Sequence, residues 1–105
     1  MDSQAEFETL HLARSLNGAG LAALAEALLD RRGAALNLDA SEVDHVGAQC
    51  LQVLISARNT WSNDRKPLKI SDSSKAFTHD LELLGVPVDQ LEVGIDQVEI
   101  GESFG

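Results

Sequence analysis

The stretch LDASEVDHVGAQCLQVL, residues 38–54, leads from a short apolar run through a polar loop into a second apolar pattern. Residues 34–39 are largely apolar and end in an acid, which predicts a central strand of a sheet. After the loop, Leu51 and Leu54 recur at helical spacing and predict a helix from about residue 48 to residue 62. A buried strand followed by an amphipathic helix is typical of an α/β fold.

The rest of the chain continues this alternation of strands and helices. Polar and apolar side chains alternate over residues 6–12, and leucines recur at helical spacing from Leu21 to Leu29. Further predicted elements are a strand at 68–71, a helix at about 75–84 with Phe77, Leu81 and Leu84 facing inward, an edge strand at 91–95, and a weak repeat of its pattern at 98–100. This order predicts an α/β fold with a four- or five-stranded, mainly parallel or mixed sheet and helices packed against it.

Length and composition limit the class of protein. A chain of 105 residues with 44% hydrophobic residues suits one globular domain, so we expect residues 1–105 to form a single domain whose last residues, about 100–105, are frayed. No apolar run approaches the ~18 residues that span a bilayer, and the acidic start lacks the pattern of a secretory signal. We therefore expect the chain to act in the cytoplasm.

The charge of the chain restricts its partners. Eight Lys and Arg residues stand against 17 Asp and Glu residues, which gives a formal net charge of −9. A nucleic acid or an anionic membrane requires a basic surface, so neither is an expected partner. Residues 76–105 hold seven acids and no Lys or Arg, and the sequence leaves open whether this third of the chain is a docking element.

The sequence gives little support for catalysis or for a cofactor. The one cysteine, Cys50, lies in an apolar run and is predicted to be buried, and neither CxxC nor HExxH spacing occurs. Asp39, Ser41 and His45 have the residue types of a nucleophilic triad, but no oxyanion-hole motif accompanies them. We therefore expect a protein without enzymatic activity, bound metal or cofactor.

Three polar residues precede the third predicted helix. A side-chain oxygen of Asp72, Ser73 or Ser74 can cap that helix by accepting a hydrogen bond from a free N–H of its first turn. The hydroxyls of Ser41, Ser73 and Ser74 are also candidate phosphorylation sites, and the sequence leaves this alternative open.

Residues 38–54 resemble the signature of STAS domains, the family of bacterial anti-sigma-factor antagonists. The family pattern runs roughly L-D-L-S-x-V-x-F-I-D-S-S-G-L-x-x-L from a strand through a loop into a helix, and the positions that match in kind are Leu38, Asp39, Ser41, Val43, Leu51 and Leu54. The strand at 68–71 and the end of the third helix also look like the family, so the resemblance covers about residues 34–88. It implies a STAS-like fold.

The chain departs from the family pattern at the phosphorylation motif D-S-S-G. Those four positions read Gly47-Ala48-Gln49-Cys50, so Gln49 stands where the phospho-acceptor serine is expected. A helix N-terminus accommodates a phosphate through its free N–H groups, and the added charge can displace a partner, but glutamine cannot be phosphorylated. The resemblance therefore implies a domain without the usual phosphorylation switch.

The resemblance also implies a docking surface at the loop and the first turn of the second helix. We assign to it Ser41, Asp44, His45, Gln49 and Gln52. Gln49 and Gln52 are three residues apart on a helix, so both amides can project to solvent and both donate and accept hydrogen bonds. The alternative is that the two glutamines only form the solvated face of an amphipathic helix.

The G-x-Q-C variant of the motif resembles small STAS proteins that are associated with bacterial chemotaxis clusters. This resemblance implies a non-enzymatic adaptor whose partner is a chemotaxis kinase or another component of the signalling array. Two other partners fit the family: an anti-sigma kinase that is bound constitutively, or the ATPase of an ABC-type lipid transporter. The sequence does not indicate an oligomeric state.

Overall fold

Strands and helices alternate along the chain, as the sequence predicts. The computed structural model describes residues 7–94, which contain three strands, three α-helices and a final 3-10 helix. Their bounds are β1 Glu8–His11, α1 Gly18–Asp30, β2 Leu36–Ala40, α2 Ala48–Asn63, β3 Leu68–Ser73, α3 Lys75–Leu83 and the 3-10 helix Val88–Leu91. The predicted α/β fold is confirmed.

β2 is the centre of a parallel sheet with the strand order β1-β2-β3. Leu38 is level with Leu10 on β1 and with Ile70 on β3. Leu36, Leu38 and Ala40 are buried, whereas the two residues between them are only partly buried, so one face of the sheet carries the core. α1 and α2 lie side by side on that face, because residues of both helices border one groove.

Within residues 7–94 the sheet has fewer strands than the sequence predicts. Four or five strands are predicted, with an edge strand at 91–95, but the part of the chain described here forms three. After the 3-10 helix, Val93 makes a single antiparallel pair with Leu68 through N–H···O bonds of 2.9 and 2.8 Å. Pairing does not extend along β3 because the next free N–H, that of Ile70, donates to the carboxylate of Glu92 at 2.8 Å.

The core lies between the sheet and its helices. Trp61, near the end of α2, is 1% exposed, and its Nε1–H donates to the carbonyl of Ala34 at 2.7 Å. This bond anchors the helix to the segment before β2, as expected of a buried indole that needs a partner for its N–H. Phe77 and Leu81 of α3 are buried, as predicted.

The end of α3 differs from its prediction. Leu84, which is predicted to face inward, is 40% exposed. α3 ends at Leu83, and Gly85 adopts a left-handed backbone conformation with a φ of 87°, so the chain turns away before it can bury Leu84. The predicted strand at 98–100 and the frayed end at about 100–105 lie outside the described residues.

Candidate functional site

Asp44, in the loop between β2 and α2, is held by a backbone hydrogen bond and by an exposed ion pair. The N–H of Asp44 donates to the carbonyl of Arg14 at 2.9 Å, and the Asp44 carboxylate lies 3.8 Å from the Arg14 guanidinium. Because both side chains are largely exposed, the ion pair itself adds little stability. The backbone bond therefore fixes the position of Asp44 at the surface.

A second contact joins the same loop to α3. His45 Nδ1 lies 2.9 Å from Asp80 Oδ2, and the same carboxylate oxygen accepts the N–H of Val46 at 2.9 Å. The bond from Val46 lowers the pKa of Asp80, and the neighbouring His45 and His79 lower it further. Asp80 thus stays ionised and holds the entrance of α2 against α3.

Ser74 fastens the middle of the loop. Its hydroxyl donates to the carbonyl of Val43 at 2.6 Å and accepts the N–H of Phe77 at 3.0 Å. The second bond caps α3 and confirms that a serine before this helix is its cap. Ser73 and Ser41, in contrast, are exposed.

Ser41 belongs to a different cluster from His45. The N–H of Ser41 donates to Asp39 Oδ1 at 3.0 Å, and Asp39 Oδ2 lies 3.1 Å from His11 Nδ1. Hydrogen bonds from the hydroxyl and N–H of Ser41 lower the pKa of Asp39, and His11 lowers it further. Because His45 pairs with Asp80 instead, Asp39, Ser41 and His45 do not form a triad.

Gln49 and Gln52 lie at the start of α2, as predicted. Both are exposed, and both border the groove between α1 and α2. Cys50 between them is buried, and burial raises the pKa of its thiol to about 11. Gln49 is therefore a surface amide beside an unreactive buried thiol.

The groove between α1 and α2, hereafter the helix groove, encloses about 470 Å³. Its residues from α1 and the turn after it are Leu21, Ala25, Leu28, Leu29 and Arg32, and those from α2 are Gln49, Gln52, Val53, Ser56, Ala57, Thr60 and Trp61. Its lining is mainly apolar, and Leu29 is 70% exposed. An exposed apolar surface with a polar rim is typical of an interaction site.

Charge is nearly absent from α2. Among its 16 residues only Arg58 is charged, although 24% of the chain is Asp, Glu, Lys or Arg. Arg58 does not border the helix groove, so α2 contributes only amides, hydroxyls and apolar groups to it. Protein interfaces are depleted of charge at their centre in the same way.

The predicted docking residues lie on two successive elements, the loop after β2 and the start of α2. Gln49 and Gln52 border the helix groove, whereas Ser41, Asp44 and His45 lie in the loop with partners of their own. Sequence reasoning missed the wall that α1 contributes and the role of Asp80. The sequence did contain a signal for the α1 wall, since the leucines of α1 occupy more of the helix circumference than a single buried stripe requires.

The fold is that of a STAS-like α/β domain. The chain matches the family model described as "Mlab, STAS domain" over residues 1–92, and it belongs to this family. No curated protein and no solved structure matches it at a significant level. Within residues 7–94 no helix has the length and apolar character of a membrane span.

Proposed function

We propose that this chain is a non-enzymatic docking module of bacterial signalling that acts in the cytoplasm and binds a chemotaxis kinase or another component of the chemotaxis array. STAS domains are in general interaction modules, and membership of the family supports a protein partner. The surface used for binding is the first turn of α2 and the loop before it, with Gln49 and Gln52 on the helix and Ser41, Asp44 and His45 in the loop.

The observation that carries the proposal is the uncharged exposed side of α2. Gln49 and Gln52 are exposed at the helix start and no charge lies beside them on α2. A partner can bury these amides against hydrogen-bonding groups without desolvating a charge, which is less costly than burying an ionised side chain. A helix that faced only solvent would gain solubility from charges at these positions.

The absence of a hydroxyl at Gln49 makes the docking surface permanent. In the STAS proteins that switch, phosphorylation at this position introduces a charge of about −1.5 to −2 into the contact. Here the amide keeps the surface neutral, so we expect the module to bind without control by a kinase at this site. Ser41 in the loop and Ser73 at the end of β3 are exposed, and their modification is an open alternative.

Titration calorimetry with the full chain and a purified chemotaxis kinase tests this proposal. We expect a complex whose affinity falls at least about tenfold in Gln49→Arg and in Gln52→Arg, because each places a charge in the contact. Gln90→Arg is the matched control, since Gln90 is also exposed but lies on the 3-10 helix, away from the helix groove. No complex, or equal losses in all three variants, would exclude docking at this surface to such a kinase.

Two other partners are tested in the same titration. An anti-sigma kinase that binds the chain but does not phosphorylate it would make the chain a constitutive anti-sigma-factor antagonist. An ABC-transporter ATPase that binds the chain and turns over faster would make it an accessory subunit. Either result would replace the chemotaxis partner and keep the docking surface, provided that Gln49→Arg weakens that complex too.

A further inference from the structure

The helix groove has the length of a short helix. From Gln49 to Trp61 its α2 wall extends about 18 Å at 1.5 Å per residue. On the other side the wall starts at Leu21 and includes Leu29. A helix of about 12 residues matches this length, and the side-chain ridges of one helix fit the groove between two others.

The groove is apolar where a partner would be buried. Leu29 stands 70% exposed on the α1 wall, and Val53 is partly buried on the α2 wall. The single cation of the groove, Arg32, donates to the carboxylate of Asp64 at 2.8 and 3.2 Å. Its charge is therefore already paired, and the groove presents no free charge of its own.

The outer rim of the α1 wall is acidic. Glu26 and Asp30 each follow a groove-lining residue, Ala25 and Leu29, so they lie about 100° farther round the helix. Both are exposed, and α1 contains no Lys or Arg. The electrostatic complement of this groove is a ligand with a neutral apolar face and a basic flank on the α1 side.

We propose that the helix groove receives an amphipathic helix of a protein partner, whose apolar face enters the groove and whose Lys or Arg residues lie along α1. The inference rests on the proposed function in that the occupant is a segment of a protein partner. Helices bind grooves of this kind through apolar anchors spaced at three and four residues.

The charge of the chain argues against a second copy as the occupant. Two copies that met groove to groove would bring their Glu26 and Asp30 rims together, and each carries a net charge of −9. The open walls argue against a small molecule. Leu29, Gln49 and Gln52 are all exposed, so a small ligand would stay partly in water, whereas ligand pockets bury most of their ligand's surface.

The test uses two synthetic amphipathic helical peptides with the same leucine face. One carries lysines along its flank and the other carries glutamates at the same positions. Binding to the full chain is followed by calorimetry and by the fluorescence of Trp61, the only tryptophan, which lines the groove. We expect the lysine peptide to bind at least about tenfold more tightly than the glutamate peptide and to change the Trp61 emission.

Two exposed leucines provide a matched pair of variants. Leu29→Asp places a charge in the groove, whereas Leu83→Asp places one on α3, where Leu83 is 73% exposed and outside the groove. We expect Leu29→Asp to weaken the lysine peptide by about tenfold and Leu83→Asp by no more than about twofold. The double variant Glu26→Lys with Asp30→Lys should reverse the preference between the two peptides.

Several results would overturn the inference. These are absence of binding, equal affinity for the two peptides, equal losses in the two leucine variants, and a dimer that dissociates on Leu29→Asp, which would assign the groove to a second copy. A kinase complex that is weakened by Gln49→Arg but not by Leu29→Asp would also overturn it and leave the proposed function standing. If the chain bound the lysine peptide selectively but formed no complex with any of the three candidate partners, the inference would stand and the proposed function would be overturned.

Discussion

Helices α2 and α3 bury similar faces and expose different ones. α2 buries residues such as Leu54 and α3 buries residues such as Phe77. Over its whole length, α2 has one charged residue in 16, whereas α3 has three in nine, namely Lys75, Asp80 and Glu82. Burial therefore does not explain the lack of charged residues in α2, because α3 also buries one face and still contains three charged residues.

α3 and its cap also make side-chain contacts with the loop between β2 and α2. Asp80 binds the loop before α2, and Ser74 caps α3 and holds the carbonyl of Val43. The N-cap of α2 is Gly47, which provides no side-chain cap. α3 and its cap therefore organise the loop, a role that the N-cap of α2 does not share.

The largest expected effects fall on the two buried faces, which the comparison treats as equivalent. Phe77→Ala should lower the free energy of unfolding by about 3–5 kcal/mol and Leu54→Ala by about 2–5 kcal/mol, through lost burial and a cavity. Urea unfolding followed by Trp61 fluorescence measures both. Leu83→Ala is the control, because Leu83 is 73% exposed and should change stability by less than about 0.5 kcal/mol. If only one of the two variants lost stability, the buried faces of α2 and α3 would not contribute equally to the core.

The second prediction concerns the helix caps. Ser74→Ala removes two hydrogen bonds, one to the first turn of α3 and one to Val43, and should cost about 1–3 kcal/mol. The neighbouring exposed Ser73, changed to alanine, is the control for loss of a hydroxyl. If the two variants were equally stable in urea unfolding, the Ser74 cap would not stabilise α3 more than the uncapped start of α2 is stabilised.

The fold could be predicted from sequence because its signals are local. The strand at 68–71, the helix that starts at Ala48 and the serine cap before Lys75 each follow from residues close together in the chain, and each is present. Within the described residues, the edge strand predicted at 91–95 is reduced to the pairing of Val93 with Leu68, and the cause is not local. A side chain 22 residues away, Glu92, occupies the free N–H of Ile70, and no local pattern encodes that contact.

Only part of the candidate site could be predicted, because the rest depends on contacts between residues far apart in the sequence. Gln49 and Gln52 could be placed from the helical period and the family resemblance, since both depend on contiguous sequence. The α1 wall, with Leu29, joins them only because two crossovers bring the helices side by side. The pairing of His45 with Asp80 spans 35 residues and likewise depends on tertiary structure.

The third prediction uses pH to test the contact between Asp80 and the loop. Because the pKa of Asp80 is lowered in the folded chain, its contribution is present above the unfolded pKa and is lost as pH falls through the folded pKa. Asp80→Asn should therefore be less stable than the wild type at neutral pH, and the difference should shrink below about pH 4. Urea unfolding across that range measures it, with Asp72→Asn, an exposed aspartate on β3, as the control. A difference that stayed constant with pH would mean that Asp80 acts without its charge.

The smallest expected effect decides whether the neutral side of α2 serves folding or contact. Ser56 is exposed on α2 and borders the helix groove. Ser56→Glu should change the free energy of unfolding by less than about 0.5 kcal/mol, since surface changes away from caps and ion pairs are nearly neutral. A loss above about 1 kcal/mol in urea unfolding would show that α2 needs a neutral surface to fold, and the depletion of charge would then say nothing about a partner. A stable Ser56→Glu chain removes folding as the explanation, which leaves contact with another molecule as the reason why this helix carries a single charge.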